Sequence, residues 1–500
     1  MAVSFTNVPA GIRVPLFYAE LDNSMANSGS NELKALIIGQ MLESGKAVAG
    51  KPILVTGDSQ GKELFGRGSM LARLNSAFRT NNSFGEVWAI PLADPESAAK
   101  ASGTLTISGD VDASGTIYVY IGADRISVNV SADETASEVA KAVAAAINAK
   151  NDLPVSASAT DSVDKSVVTV QAKNGGQFGN DIRLAINLNG YAAGEQTPDG
   201  LSIVVADMAG GTGIPEMDAV LSAMGDEEYD FIAMPYADGT CLNAFTVAMN
   251  DATGRWSPTK QIYGHVYTAK RGDCQSLRDF GSALNDQHLT VVGFEETTPS
   301  LAVEVLGAYV ARCLTAIGND PARPLQTLEL FGISGAPEGE RFNLSEKQTL
   351  LTNGIATTYQ AGGYVRIERA VTTYQKNAFG DNDTSYLDSE TLHTLAYIIR
   401  TLRTTITSKY PRHKLASDGT KYGTGQAIVT PNVIRGELIA QYQKLEMKGI
   451  VENSELFKKY LIVERNVDDP NRLDVLLPPD LVNGLRIFAA LVQFRLQYEE

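Results

Sequence analysis

The stretch from Gly363 to Gly419 constrains the fold more than any other. Its first part, Tyr364 to Tyr374, alternates and is rich in β-branched and aromatic residues, which predicts a strand of about ten residues. Asn377, Gly380, Asp381, Asn382 and Asp383 then break the chain. Leu392, Leu395, Ile399, Leu402 and Ile406 recur at steps of three and four, so a helix with one apolar stripe follows. Asp383, Thr384 and Ser385 are candidate caps at its start, Arg400, Arg403 and Lys409 suit the negative end of its dipole, and Pro411 lies just beyond it.

The same alternation recurs from Asn31 to Leu92. Leu36–Ile38 and Ile53–Val55 read as short buried strands, Met70, Leu71, Leu74, Ala77 and Phe78 as a helix face, and Val87–Ile90 as a strand. It resumes after Gly210, with a helix face of Met217, Val220, Leu221 and Met224 and a strand over 230–236. Helices near 242–254, 273–286, 302–317 and 345–354 and strands at 262–267 and 289–294 complete an α/β layer. Residues 96–208 differ. GTLTIS, GTIYVYIG, DRISVNVS, SVVTVQAK and DIRLAINL are short alternating strands, and one helix interrupts them with the capping box Thr135-x-x-Glu138 and the face Val139, Val143, Ile147. Flanked by α/β pattern on both sides, this β-rich stretch reads as a decorative domain inserted at a surface loop. After Gly419 a helix over 433–447, a strand at 460–464, the turn NVDDPNRLD and the short strand in LDVLLPPDL give an α+β C-terminal domain.

Both ends are β-prone. Pro9, Gly11 and Pro15 prevent a helix near the N-terminus, while Ile12, Val14, Leu16 and Tyr18 favour an extended strand that needs a sheet edge in its own chain or another. Leu485 to Leu496 is the most apolar segment of the sequence and includes Ile487, Phe488, Leu491 and Phe494. It reads either as an edge completed by a neighbouring subunit or as a buried central strand.

Chemistry-bearing motifs are sparse. Gly57-Asp58-Ser59-Gln60-Gly61 fits G-x-S-x-G after a strand, which in a serine hydrolase exposes a nucleophile, here Ser59. The four histidines, His265, His288, His393 and His413, lie in no context that suits such a triad, so Ser59 reads as a turn residue. Gly210, Gly211 and Gly213 lack the Lys-Ser/Thr of a phosphate loop. No catalytic, cofactor-binding or metal-ligating set is expected: Cys241, Cys274 and Cys313 are far apart and odd in number, which suits a reducing cytoplasm. The formal net charge of −16, without a long Lys/Arg run, argues against nucleic-acid binding. The N-terminus predicts no cleaved leader, and no apolar run reaches the roughly 18 residues that span a bilayer.

The run VRIERAVTTYQKNAFGDNDTSYLDSETLHTLAYIIRTLRTTITSKYPRHKLASDG resembles the start of the C-terminal domain of contractile-phage tail sheath proteins of the Mu-like group. LFGRGSMLARLNSAFRTNNSFGEVWAIPL and GGTGIPEMDAVLSAMGDEEYDFIAMPYAD resemble the sheath core, so the resemblance extends over nearly the whole chain. In the first of these the Phe65-Gly66-x-Gly68-Ser69 element turns the chain into a helix. The resemblance implies an α/β sheath core over 21–95 and 209–362, an inserted β-rich domain over 96–208 and an α+β C-terminal domain over 363–500. It also implies an N-terminal arm over 1–20 and a C-terminal arm over 485–500. Ile12, Val14, Leu16, Tyr18, Leu485, Ile487, Phe488, Leu491 and Phe494 would then exchange strands between subunits. The implied partners are further copies of the chain in a helical sheath, a tail tube protein, and baseplate and tail terminator proteins, with neither nucleic acid nor membrane. The implied particle is a virion tail assembled in the host cytoplasm, and no cofactor is needed. A tail-derived bacteriocin or secretion-like sheath would use the same physics, and a serine hydrolase using Ser59 is the alternative of another class.

Overall fold

A computed structural model describes residues 33–161 and 165–496. The N-terminal segment with Ile12, Val14, Leu16 and Tyr18 lies outside the described residues.

A nine-stranded mixed sheet organises the larger core. Its order is Glu329–Leu330, Tyr364–Arg369, Ile355–Ala361, Leu289–Glu295, His265–Gly272, Phe231–Ala233, Lys34–Gln40, Glu86–Leu92 and Ile53–Val55. The six strands from Ile355–Ala361 to Glu86–Leu92 are parallel neighbours, and antiparallel strands flank them at both edges. Lys34–Gln40 is buried along almost its whole length, as a parallel strand covered on both faces must be. Helices Met70–Asn81 and Ala302–Asn319 pack together beside it. They approach closely because Gly307 has no side chain: a Cβ there would lie 2.5 Å from the Leu74 carbonyl oxygen.

Several elements differ from the sequence expectation. The 262–267 strand begins three residues late and runs His265–Gly272, because Gln261 turns the chain with φ 52° and pairing with Phe231–Ala233 starts only at His265. The strand predicted to reach Tyr374 stops at Arg369. Beyond it the Thr372 N–H donates to the Leu387 carbonyl and the Thr373 N–H to that of Leu289, so the ladder register is lost. The following helix is Ser389–Lys409, with Asp388 at its N-cap rather than Asp383, Thr384 or Ser385. Asp383 instead accepts from the Ser385 N–H and the Tyr374 hydroxyl. The buried face of this helix is Leu392, Ala396, Ile398 and Leu402; Leu395 is only half-buried and Ile399 is exposed. The strand Ile355–Ala361 and the helix Ser454–Tyr460 have no counterpart in the sequence expectation.

Between Leu92 and Phe231 the chain leaves the large sheet. It builds a four-stranded antiparallel sheet (Ser202–Ala209, Ser102–Ser108, Ser166–Ala172, Val155–Asp161) and a three-stranded one (Asp124–Val130, Gly115–Ile121, Leu184–Ile186). Helix Ala136–Ala149 starts at the Thr135–Glu138 capping box and buries Val139, Val143 and Ile147. Ala99 and Thr212 exchange both backbone hydrogen bonds, so the segment's entry and exit lie side by side.

A second, smaller core sits under the C-terminal elements. Ile398, Leu402, Val429, Ile434, Leu438, Tyr442, Leu445, Ile450, Val451, Phe457 and Leu461 form it. They come from Ser389–Lys409, Pro431–Met447, Ser454–Tyr460 and the residues that flank these helices. Helix Ser389–Lys409 serves both cores. Near its start His393 stacks on Phe231 of the large sheet, with ring centroids 4.4 Å apart, and its later turns supply Ile398 and Leu402 to the second core.

Candidate inter-subunit surfaces

The motif at Ser59 builds no catalytic group. Gly57 is the N-cap of helix Asp58–Phe65, and Ser59 is exposed in its first turn. Each histidine is engaged elsewhere: His265 with Thr290, His288 with Asp251, His393 with the Tyr267 hydroxyl, and His413 against the Tyr410 ring. Among the described residues there is no group of three or more His, Cys, Asp or Glu side chains that could hold a metal ion. No helix among them is long and apolar enough to cross a membrane.

In open α/β sheets a ligand crevice lies beyond the strand ends where strand order reverses, here between Lys34–Gln40 and Phe231–Ala233. The chain's own 99–212 segment occupies that place. Gln40 Nε2 donates to Asp94 Oδ1 and to the Gly175 carbonyl, both at 2.6 Å, and Asn174 bonds the Met70 N–H and the Met41 carbonyl. Asp181 accepts from Arg271 Nε at 2.6 Å and from the Ala302 N–H at 2.9 Å, where an anion would otherwise suit the start of helix Ala302–Asn319. A cavity of about 200 Å³ remains beside Asp181, Tyr236 and Lys270. On another side Arg73 bridges Asp124 of this segment to Glu304 of the large core. The segment is thus stitched to the core by buried polar contacts, more than a decorative module needs. Gly66 and Gly68, at φ 84° and 79°, shape the turn before Ser69, whose hydroxyl caps helix Met70–Asn81. Gly68 also lets the Leu153 carbonyl approach.

The second core leaves two short ladders at its surface. Ile462–Arg465 pairs antiparallel with Leu473–Leu476, and Lys414–Leu415 pairs parallel with Ile428–Val429. Each is a two-stranded sheet, so among the described residues both outer edges are unpaired. In the first ladder Val463 and Leu473 pack on the core, while Ile462, Val475 and Leu476 are exposed.

Leu485, Ile487, Phe488, Leu491 and Phe494 share one extended segment, and residues 482–496 form neither helix nor strand. With Val492 and Leu496 their relative exposures run from 74% to 97%. The buried central strand that the sequence left open is therefore ruled out within a single chain; this apolar run lies on the outside. Its root is fixed. Asp480 and Val482 bond to the second core through Tyr442, Glu452 and Ile450, while Arg486 pairs with Glu390 Oε1 at 3.0 Å. The sequence gives one signal of the unforeseen strand Ile355–Ala361: Gly362-Gly363 between two alternating runs, which is hairpin chemistry, and both glycines have positive φ. Nothing comparable announces residues 480–486.

Residues 210–373 match the family model of the phage tail sheath protein central domain, and residues 381–495 that of the phage tail sheath C-terminal domain. Over 497 residues the chain is 40% identical to the Mu-like prophage FluMu tail sheath protein of Haemophilus influenzae, covering 99% of this chain and 100% of that one. Among solved structures, a sheath tail protein from Desulfitobacterium hafniense is 14% identical, with 95% of this chain and 97% of that chain covered at a TM-score of 0.49. The six-fold symmetrised anti-feeding prophage baseplate contains a chain 10% identical, with 97% and 100% covered, also at 0.49. Those two likenesses are distant and carry no weight beside the 40% relative.

Proposed function

Because the chain belongs to the phage tail sheath protein family, we propose that it polymerises around a tail tube and that contraction of the polymer drives the tube through the host envelope. The chain is a structural component of a contractile tail, part of the virion, and not an enzyme. Within that role, residues 21–95 and 209–362 act as the sheath core, 96–208 as an inserted domain, and 363–500 as the α+β domain that makes the links. The arms at 1–20 and 485–500 add strands to neighbouring subunits, through Ile12, Val14, Leu16, Tyr18, Leu485, Ile487, Phe488, Leu491 and Phe494. Its partners are other copies of itself, the tube protein, and baseplate and terminator proteins, met in the host cytoplasm.

The observation that carries this reading is the exposed apolar run 487–496 in a chain that also carries the open-edged ladder Ile462–Arg465/Leu473–Leu476. Adding a strand to that edge satisfies backbone groups on both sides and covers the apolar residues. Each such hydrogen bond contributes only about 1 kcal/mol net, so several must form for a link to hold. Leu491→Asp and Phe494→Asp test it. Both side chains are exposed in the single subunit, so its melting is expected to be unchanged while tubes disappear from electron micrographs. Tubes of normal length from both variants would rule out exchange by this arm.

A further inference from the structure

The C-terminal residues cross from one core to the other before the arm begins. On the second core the Glu452 N–H donates to the Asp480 carbonyl at 2.9 Å, the Tyr442 hydroxyl accepts from the Asp480 N–H at 3.0 Å, and the Val482 N–H donates to the Ile450 carbonyl. Two residues later the contacts are with the large-core side. Gly484 lies so close to Pro324 that a Cβ would sit 2.5 Å from its Cγ. Gln326 Nε2 donates to the Leu485 carbonyl at 3.2 Å. Arg486 is then drawn in between exposed neighbours, to Glu390 at 3.0 Å and Asp388 at 3.6 Å. Asp388 is itself held in a fork by Arg369 of the large sheet, at 2.8 and 3.0 Å, and Glu390 also accepts from the Leu325 N–H at 2.7 Å.

We propose that residues 480–486 are a strap joining the two cores, and that Arg486 is the positioning residue that fixes where the arm leaves toward a second copy of this chain. The proposal rests on the exchange of arms inferred for assembly. Its physical content is load. The apolar side chains of residues 487–494 are exposed, so a pull on them from a neighbour runs back along the chain to the end of the strap. Arg486 stands there, its guanidinium donating a charge-assisted hydrogen bond to Glu390 and pairing at longer range with Asp388 at the foot of helix Ser389–Lys409. An arm without this anchor still has its apolar side chains but samples many exit directions, and ordering it on a neighbour costs more entropy.

The test uses the full chain with Arg486→Ala, Arg486→Lys and Gly484→Ala, beside a deletion of 487–500. Soluble subunits are compared by thermal melting and by amide hydrogen exchange over 480–486, and polymers by sedimentation and electron microscopy. The expected result is near-normal melting, faster exchange over 480–486 and a loss of sedimenting tubes of about tenfold or more for Arg486→Ala and Gly484→Ala, tenfold corresponding to roughly 1.4 kcal/mol. Arg486→Lys, which keeps the charge beside Glu390, is expected to recover much of the yield. Normal tubes from Arg486→Ala, with none from the deletion, would overturn the strap and leave the exchange of arms standing. Normal tubes from the deletion would overturn both. If Arg486→Ala fails to fold, Gly484→Ala decides alone, since it displaces the strap from Pro324 while keeping Arg486 and both carboxylates in the chain.

Discussion

His393 stacks on Phe231 and shares one hydrogen bond, at 3.0 Å, with the Tyr267 hydroxyl. Burial, helped by Arg400, holds its imidazole down to about 3. His265, with its ring 5.6 Å away, is likewise held well below its ordinary value by burial and by His393. Both rings are neutral in the folded chain, whereas the unfolded chain takes up protons near pH 6.5. The stability they contribute is complete above that pH and is lost as pH falls below it, by about 1.4 kcal/mol per pH unit for each histidine. Denaturant midpoints taken between pH 7 and 5.5 are expected to fall accordingly. His393→Phe keeps the stacking and removes one of the two protons, so it is expected to halve that slope. It also costs stability at pH 7, because the Tyr267 hydroxyl loses its partner. Sequence alone gave these histidines no role, since each earns its burial from residues far along the chain.

Among the elements, helix Ser389–Lys409 shows how far pattern reaches. Its existence and length follow from the spacing of Leu392, Leu402 and Ile406, yet its buried face is turned, because it must satisfy two cores at once. A single-stripe expectation serves a helix with one partner. Its cap was misread for a related reason: Asp388 is held by Arg369, an ion pair between residues that only the folded chain brings together. The parallel strands were legible as apolar runs, whereas Ile355–Ala361, half polar in IATTYQA, was not. In the second core Tyr442 fixes the packing of three elements. Its ring stacks on Phe457 at 3.7 Å, and its hydroxyl donates to the Glu452 carbonyl while accepting from the Asp480 N–H. Tyr442→Phe preserves the stack and strands those backbone groups, so a loss of about 1–2 kcal/mol is expected in chemical denaturation. Amide exchange at 480–482 should accelerate with it, and unchanged exchange there would mean that the Glu452–Asp480 ladder holds the segment without the hydroxyl.

For the whole molecule, the alternation of strands and helices made the layered core readable, and the shift to Gly, Ser and Thr marked the stretch 96–208, whose structural ends are Ala99 and Thr212. Its attachment was not readable, because Asp124, Asn174 and Asp181 meet Arg73, the Met70 N–H and Arg271 only in three dimensions. Replacing 99–212 by a short Gly/Ser linker is therefore expected to yield a chain less stable by on the order of 5 kcal/mol, since several buried polar groups lose their partners. Adding Arg271→Met to that chain is expected to restore part of the loss, because the carboxylate partner of Arg271, Asp181, goes with the segment, whereas Arg73 keeps Glu304. Equal melting of the shortened chain and the wild type would show that the contacts contribute nothing net. Two covalent crossings between the cores among the described residues, helix Ser389–Lys409 and residues 480–486, have a consequence of their own. A rigid body hung from one flexible point can turn in every direction, but one hung from two keeps a single rotation, about the line through them. The C-terminal core is mounted in that way, so its easiest movement relative to the sheet is a swing about one axis, like a door on its hinges.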